Sequence, residues 1–189
     1  MQNHTEKAAL LVMDIQNGIV SRYAENKEIL HNIQEAVASA RKHNIPVIFV
    51  RVGFSKGYPE VSPRNKGFSA IAAHGGMTTA DVATQIHESV KPQENEPIVT
   101  KYRISAFAGS TLEMILRSRQ IDTLILTGIA TSGVVLSTVR EAADKDFSLT
   151  VLSDACHDSD PEVHRVLMEK VFPRQATVLT VGSWVSSLA

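Results

Sequence analysis

An aspartate and a lysine far apart in the chain occupy equivalent places. Asp14 directly follows the apolar run Ala8-Ala9-Leu10-Leu11-Val12-Met13, and Lys101 directly follows the short run Ile98-Val99-Thr100. A carboxyl and an amine at the ends of two buried runs are an acid and a base able to share one cavity and move a proton. Burial at the mouth of a core would raise the pKa of Asp14, and a neighbouring Lys101 would lower it. The sequence alone leaves that balance open. Gln16 and Asn17 come just after Asp14, and Tyr102 and Arg103 just after Lys101. Gln16 and Arg103 are therefore candidate substrate contacts, although Tyr102 and Arg103 could equally face another subunit.

A second group of residues could serve the same chemistry. The stretch Gly128-Ile129-Ala130-Thr131-Ser132-Gly133 lacks the glycine spacing of a phosphate-binding fingerprint. As the start of a helix it still offers N–H groups to a carboxylate or a developing oxyanion. That makes Ala130, Thr131, Ser132 and Gly133 candidate binding residues. The hydroxyls of Thr131 and Ser132 read as helix caps, since no histidine is placed by sequence to activate them. Cys156 reads as a small buried hydrophobe, with the side chain of adjacent His157 diverging from it; catalysis through Cys156 is the weaker alternative. His157, Asp158 and Asp160 are expected in an exposed loop rather than around a cation, and His74, beside Gly75-Gly76, could belong to a lid.

Strands must carry these residues. Continuous apolar runs suit strands buried on both faces of a parallel sheet. They occur at Ala8–Met13, Val47-Ile48-Phe49-Val50, Ile98-Val99-Thr100, Thr123-Leu124-Ile125-Leu126-Thr127, Ser148-Leu149-Thr150-Val151-Leu152 and Thr177-Val178-Leu179-Thr180-Val181. Between them, Ile29, Leu30, Ile33, Ala36, Val37 and Ala40 recur at helical spacing, ended by Asn44 and Pro46. Helices are also expected at 79–90, with Val82, Ile86 and Val90 on one side, and at 131–145, with Val135, Val139 and Ala142 inward. Another should follow the capping-box pattern Ser110-Thr111-Leu112-Glu113, and another the Asp160-Pro161 start, with Val163, Val166, Leu167 and Val171 giving it an apolar face. The polar, glycine- and proline-broken segment 52–76 reads as a long loop, a lid or a partner contact. The expectation is an α/β fold: one domain over residues 1–189, with a six-stranded parallel sheet covered by helices on both faces. Ligands of such sheets bind beyond the carboxyl ends of the strands, where Asp14 and Lys101 stand.

Composition narrows the function classes. The chain has 189 residues, 43% of them hydrophobic, with 19 Lys plus Arg against 20 Asp plus Glu and a net charge of −1. That balance argues against nucleic-acid and polybasic membrane partners. No apolar run approaches the ~20 residues of a membrane span, and Met1-Gln2-Asn3-His4-Thr5-Glu6-Lys7 has no basic region ahead of its apolar run. One cysteine excludes an intrachain disulfide and fits a reducing compartment, so a soluble cytoplasmic protein is expected.

Four motifs, in order, carry a family resemblance. Leu11-Val12-Met13-Asp14-Ile15-Gln16-Asn17, Thr100-Lys101-Tyr102-Arg103-Ile104-Ser105-Ala106-Phe107, Leu126-Thr127-Gly128-Ile129-Ala130-Thr131-Ser132 and Asp154-Ala155-Cys156 resemble the isochorismatase-like, or cysteine hydrolase, superfamily, which includes nicotinamidases. The resemblance implies a site at the strand ends in which Asp14 and Lys101 flank a cysteine nucleophile, and a cis peptide in the turn at Ile129–Ala130. It places that cysteine three residues after Thr131, where this chain has Val134. Valine has no nucleophilic atom. Isochorismatases of the superfamily also lack the cysteine and use an aspartate as general acid on a vinyl ether, although their bulkier, more polar turn is absent here. Metal-dependent nicotinamidases of the superfamily carry Asp-x-His after strand two, where this chain reads Arg51-Val52-Gly53, so no metal or cofactor is expected. The family's habits also imply a homo-oligomer. Two readings stand: a hydrolase working through Asp14 and Lys101 on a small anionic or carbonyl-bearing metabolite, or a degenerate hydrolase kept as a binding or assembly subunit.

Overall fold

A computed structural model describes residues 7–23 and 27–188; the N-terminal stretch read for a leader lies mostly outside them. Six parallel strands form one sheet in the order β3-β2-β1-β4-β5-β6. They are β1 (Ala8–Met13), β2 (Val47–Val52), β3 (Ile98–Lys101), β4 (Thr123–Ile129), β5 (Ser148–His157) and β6 (Thr177–Leu179). Among the described residues, α-helices accompany them: α1 (Asn17–Val20), α2 (Lys27–Lys42), α3 (Lys66–His74), α4 (Leu112–Ser118), α5 (Leu136–Asp144), α6 (Pro161–Val166) and α7 (Val181–Ser186).

The continuous apolar run of β1 is explained by its central position. Alternate residues feed two cores. Leu10 and Val12 join Ile29, Ile33 and Val37 of α2 and Trp184 of α7 on one face. Leu11 and Met13 join Leu112 and Leu116 of α4, Val139 and Ala142 of α5, and Phe172 on the other. Complete burial of a side chain such as Ile33 contributes about 1.5–3 kcal/mol, and the stripe read on α2 is the one that packs. No helix among the described residues is long and apolar enough to cross a membrane.

Several expectations are corrected. The helix at 79–90 is two single 3₁₀ turns, Val82–Thr84 and Glu88–Val90, with Val82 exposed and Val90 buried. Side chains there bond the backbone in place of a helical ladder: the Asp81 carboxylate accepts from Thr78 N–H and Oγ1, and Thr84 Oγ1 donates to the carbonyls of Thr78 and Asp81. Segment 52–76 is not loop throughout. It contains α3, capped by Asn65, and a small core in which Phe54 packs edge-on against Phe68, with Tyr58 and Tyr102 alongside. Strand five runs on to His157 across a register shift opposite Leu126–Gly128. Strand six stops at Leu179 because Thr180 caps α7. Glu113 pairs with Lys145 at 2.7 Å instead of closing a capping box, whereas Asp160 caps α6 as expected.

Candidate functional site

Asp14 leaves β1 in a left-handed conformation, with φ of 57°, which aspartate tolerates better than most residues. Its N–H is held by the Val50 carbonyl at 2.8 Å. Lys101 ends β3, beside β2, and reaches the same point: its Nζ lies 3.1 Å from Asp14 Oδ2 and donates to the Arg103 carbonyl at 2.9 Å. Both are buried, at 5% and 2% exposure. Asp14 Oδ1 has no hydrogen-bond partner among the described residues. Burial raises the Asp14 pKa and outweighs the charge and hydrogen bond of Lys101, which settles the balance the sequence left open.

The turn after β4 lies next to this pair, because Met13 is registered with Gly128. The Ile129–Ala130 peptide is cis. Residues Thr131–Val135 are wound wider than an α-helix, with Gly133 at φ −97° and ψ −105°. Val134 is buried in the core that contains Met13. Two of the amides expected to cradle an anion are taken up within the chain: Ser132 N–H bonds Asp158 Oδ2 at 2.7 Å, and Gly133 N–H bonds the Ala130 carbonyl.

The expected substrate contacts Gln16 and Arg103 are anchored to backbone. Gln16 is fully buried; its Nε2 donates to the carbonyls of Val52 and Thr84, and its Oε1 accepts from Val52 N–H. Arg103 donates to the carbonyls of Tyr102 and Glu60, which ties segment 52–76 down beside Lys101. Both residues thus brace the ground on which the Asp14–Lys101 pair stands.

Two readings change around the turn. Asp158 is not in an exposed loop; it is buried at 5% exposure. Burial alone would raise its pKa, but hydrogen bonds from Ser132 and from the amides of Ser159 and Asp160 hold it below the usual carboxylate range. A histidine also reaches the turn: Thr131 Oγ1 lies 2.8 Å from His164 Nδ1. Thr131 and His164 belong to separate elements, and no short motif links them. Among the described residues no group of three or more His, Cys, Asp or Glu is arranged to hold a metal. His74 ends α3 and is exposed.

Cys156 packs in the core with its Sγ 3.9 Å from the Leu126 carbonyl, and burial pushes its thiol up to about 12. Iodoacetamide at pH 8 should therefore leave the native protein unmodified over hours and label it fully in denaturant, as read by intact mass. Fast labelling of native protein would revive the thiol as a reactive group.

Known proteins resemble this chain over most of its length. A family described as Isochorismatase domain matches residues 8–183. The uncharacterized isochorismatase family protein YwoC of Bacillus subtilis is 34% identical over 169 residues, covering 89% of this chain and 87% of YwoC. Ureidoacrylate amidohydrolase RutB of Pseudomonas savastanoi is 30% identical over 212 residues, covering 96% and 81%. A solved cysteine hydrolase from Pseudomonas syringae shares the fold, with a TM-score of 0.87 at 21% identity over 96% of this chain and 92% of that one. The matched span takes in both strand ends and the turn, and the chain belongs to the isochorismatase family of hydrolases.

Proposed function

We propose that this chain hydrolyses a small metabolite by acid–base chemistry of Asp14 and Lys101, with no cysteine nucleophile at position 134. The observation that carries the reading is the buried 3.1 Å pair whose second carboxyl oxygen, Oδ1, is without a partner. Burial favours the protonated carboxyl. Lys101 stays on Oδ2, and Oδ1 is the oxygen from which a proton can be given. Protonation of the substrate weakens the bond to be cut. Water then adds, and its proton returns to the Asp14 carboxylate, so the residue is regenerated and one water is consumed. Gln16 and Arg103 act as positioning residues, and the substrate contacts fall to the accessible residues of the turn, Ala130, Ser132 and Gly133. The relative named ureidoacrylate amidohydrolase makes small anionic, carbonyl-bearing compounds the first class to test.

The second reading, a binding or assembly subunit, is favoured by the two buried methyl groups of Val134. A panel of small amides, carbamoyl compounds and vinyl ethers separates the two. With any substrate that turns over, Asp14→Asn and Lys101→Ala should each lower kcat/KM by about 10²-fold or more. Unchanged rates in both variants would sink the acid–base reading. If nothing turns over until Val134→Cys supplies amidase activity, the degenerate reading replaces it.

A further inference from the structure

We infer that His164 and Asp158 are positioning residues for the turn that carries Val134, gripping it from α6 and from the connection that precedes it so that it stays packed beside Asp14. The inference rests on the acid–base reading above, since it assigns both residues a part in that site.

Two consecutive residues of the turn are held from outside. Thr131 is held through its hydroxyl by His164 at 2.8 Å, and Ser132 through its N–H by Asp158 at 2.7 Å. Thr131 is fully buried and its hydroxyl is taken up by His164, so the contact orders the turn instead of activating a nucleophile. The gripping residues are themselves fixed. Asp158 Oδ1 accepts from Asp160 N–H at 3.4 Å, and the Asp160 side chain caps the helix that bears His164. The turn needs such partners because it is wound too wide for ordinary α-helical bonding and bends at Gly133.

His164 also lines a cleft of about 390 Å³, together with His157, Asp154, Asn32 and Pro161. Partial burial and nearby His157 hold its pKa below the ordinary value, against the opposing charge of Asp158. That direction favours the neutral ring, which in one tautomer accepts the Thr131 O–H at Nδ1. The consequence for the site follows from strand register. Met13 pairs with Gly128, so Asp14 comes to lie beside Ile129–Ala130, where the gripped turn begins. A turn released at Thr131 and Ser132 admits water to Asp14 and weakens the burial that raises its pKa.

The test is a ¹³C NMR titration of the Asp14 carboxyl in the full chain, assigned by the signal lost in Asp14→Asn. Thr131→Val, His164→Leu and Asp158→Ala should each lower the Asp14 midpoint by about 0.5 pH unit or more. His164→Asn keeps a polar atom near the place of Nδ1 and Asp158→Asn keeps an acceptor oxygen; both should hold the midpoint within about 0.2 unit of the parent. A purely structural role would lower the melting temperature and leave the midpoint of the folded protein where it was. If His164→Leu does not fold, the isosteric Thr131→Val cuts the same bond from the other end. An unmoved midpoint in folded Thr131→Val and Asp158→Ala overturns the inference. The titration uses no substrate, so its outcome is separate from that of the turnover test of the acid–base reading.

Discussion

Lys101→Met is expected to destabilise the protein by about 3–5 kcal/mol at pH 8 and by clearly less at pH 5. Methionine fills much of the lysine's volume, so the loss is electrostatic rather than a cavity. It leaves the Asp14 carboxylate buried without its only ion-pair partner among the described residues. The pH dependence follows from the direction of the Asp14 shift. Burial already raises its folded pKa against the pull of Lys101, and removal of Lys101 takes that pull away, so the folded pKa rises further. The folded state then holds the proton more tightly than the unfolded chain. Stability from this group is complete below the unfolded pKa of about 3.9 and is lost as pH rises through the folded value, at up to about 1.4 kcal/mol per pH unit. Urea unfolding at pH 5, 6.5 and 8 reads the difference between variant and parent. The double variant Asp14→Asn with Lys101→Met should recover at least half of the loss at pH 8, since asparagine carries no charge and accepts the left-handed backbone at this position. A variant-minus-parent difference that stays level across the three pH values would mean that Asp14 does not sense Lys101, and the pairing would lose its meaning.

The pair was legible in the sequence because each member directly follows an apolar run, and the end of a strand places the residue there. The same logic made the central strands and the α2 stripe readable. Where side chains compete with the backbone, spacing misleads: Val82, Ile86 and Val90 have helical spacing, yet the bonds of Asp81 and Thr84 to their own neighbourhood prevent the helix. Strand five looked short because Ser153, Asp154 and His157 interrupt its apolar character, although the backbone pairing continues past the register shift to His157. Asp158 looked solvated for the same reason, and the N–H of Ser132, from another element, joins the neighbouring amides of Ser159 and Asp160 in making its burial tolerable. The contact between Thr131 and His164 joins β4–α5 to β5–α6 and depends on how two helices sit against one another. That is a tertiary fact with no local signature. Gln16 shows the limit from the other side. Its place just after Asp14 was readable, but the three backbone bonds of its amide were not.

Gly128→Ala should destabilise by about 3 kcal/mol or more, although it adds one methyl group to a chain full of them. Gly128 adopts φ of 153°, a conformation that L side chains rarely take. A Cβ there would stand 2.5 Å from the Met13 carbonyl oxygen and 2.9 Å from Met13 Cβ. Neither neighbour can yield cheaply. Met13 is the last residue of β1 and is registered with Val50 on one side and Gly128 on the other, so its backbone is fixed from both edges. Relief must come from parting β1 and β4 at the end where Asp14 and the turn begin. The substitution should therefore damage the site as well as the fold. Gly182→Ala provides the contrast: no atom lies within 4 Å of its Cβ, the residue is exposed within α7, and alanine there should be neutral or stabilise by up to about 1 kcal/mol. Urea midpoints of the two variants read the difference directly. If Gly128→Ala unfolds within 1 M urea of the parent, roughly 1–3 kcal/mol at usual denaturant slopes, the strands part more easily than this packing allows. The close approach of β1 and β4 would then no longer account for a glycine at the mouth of the site.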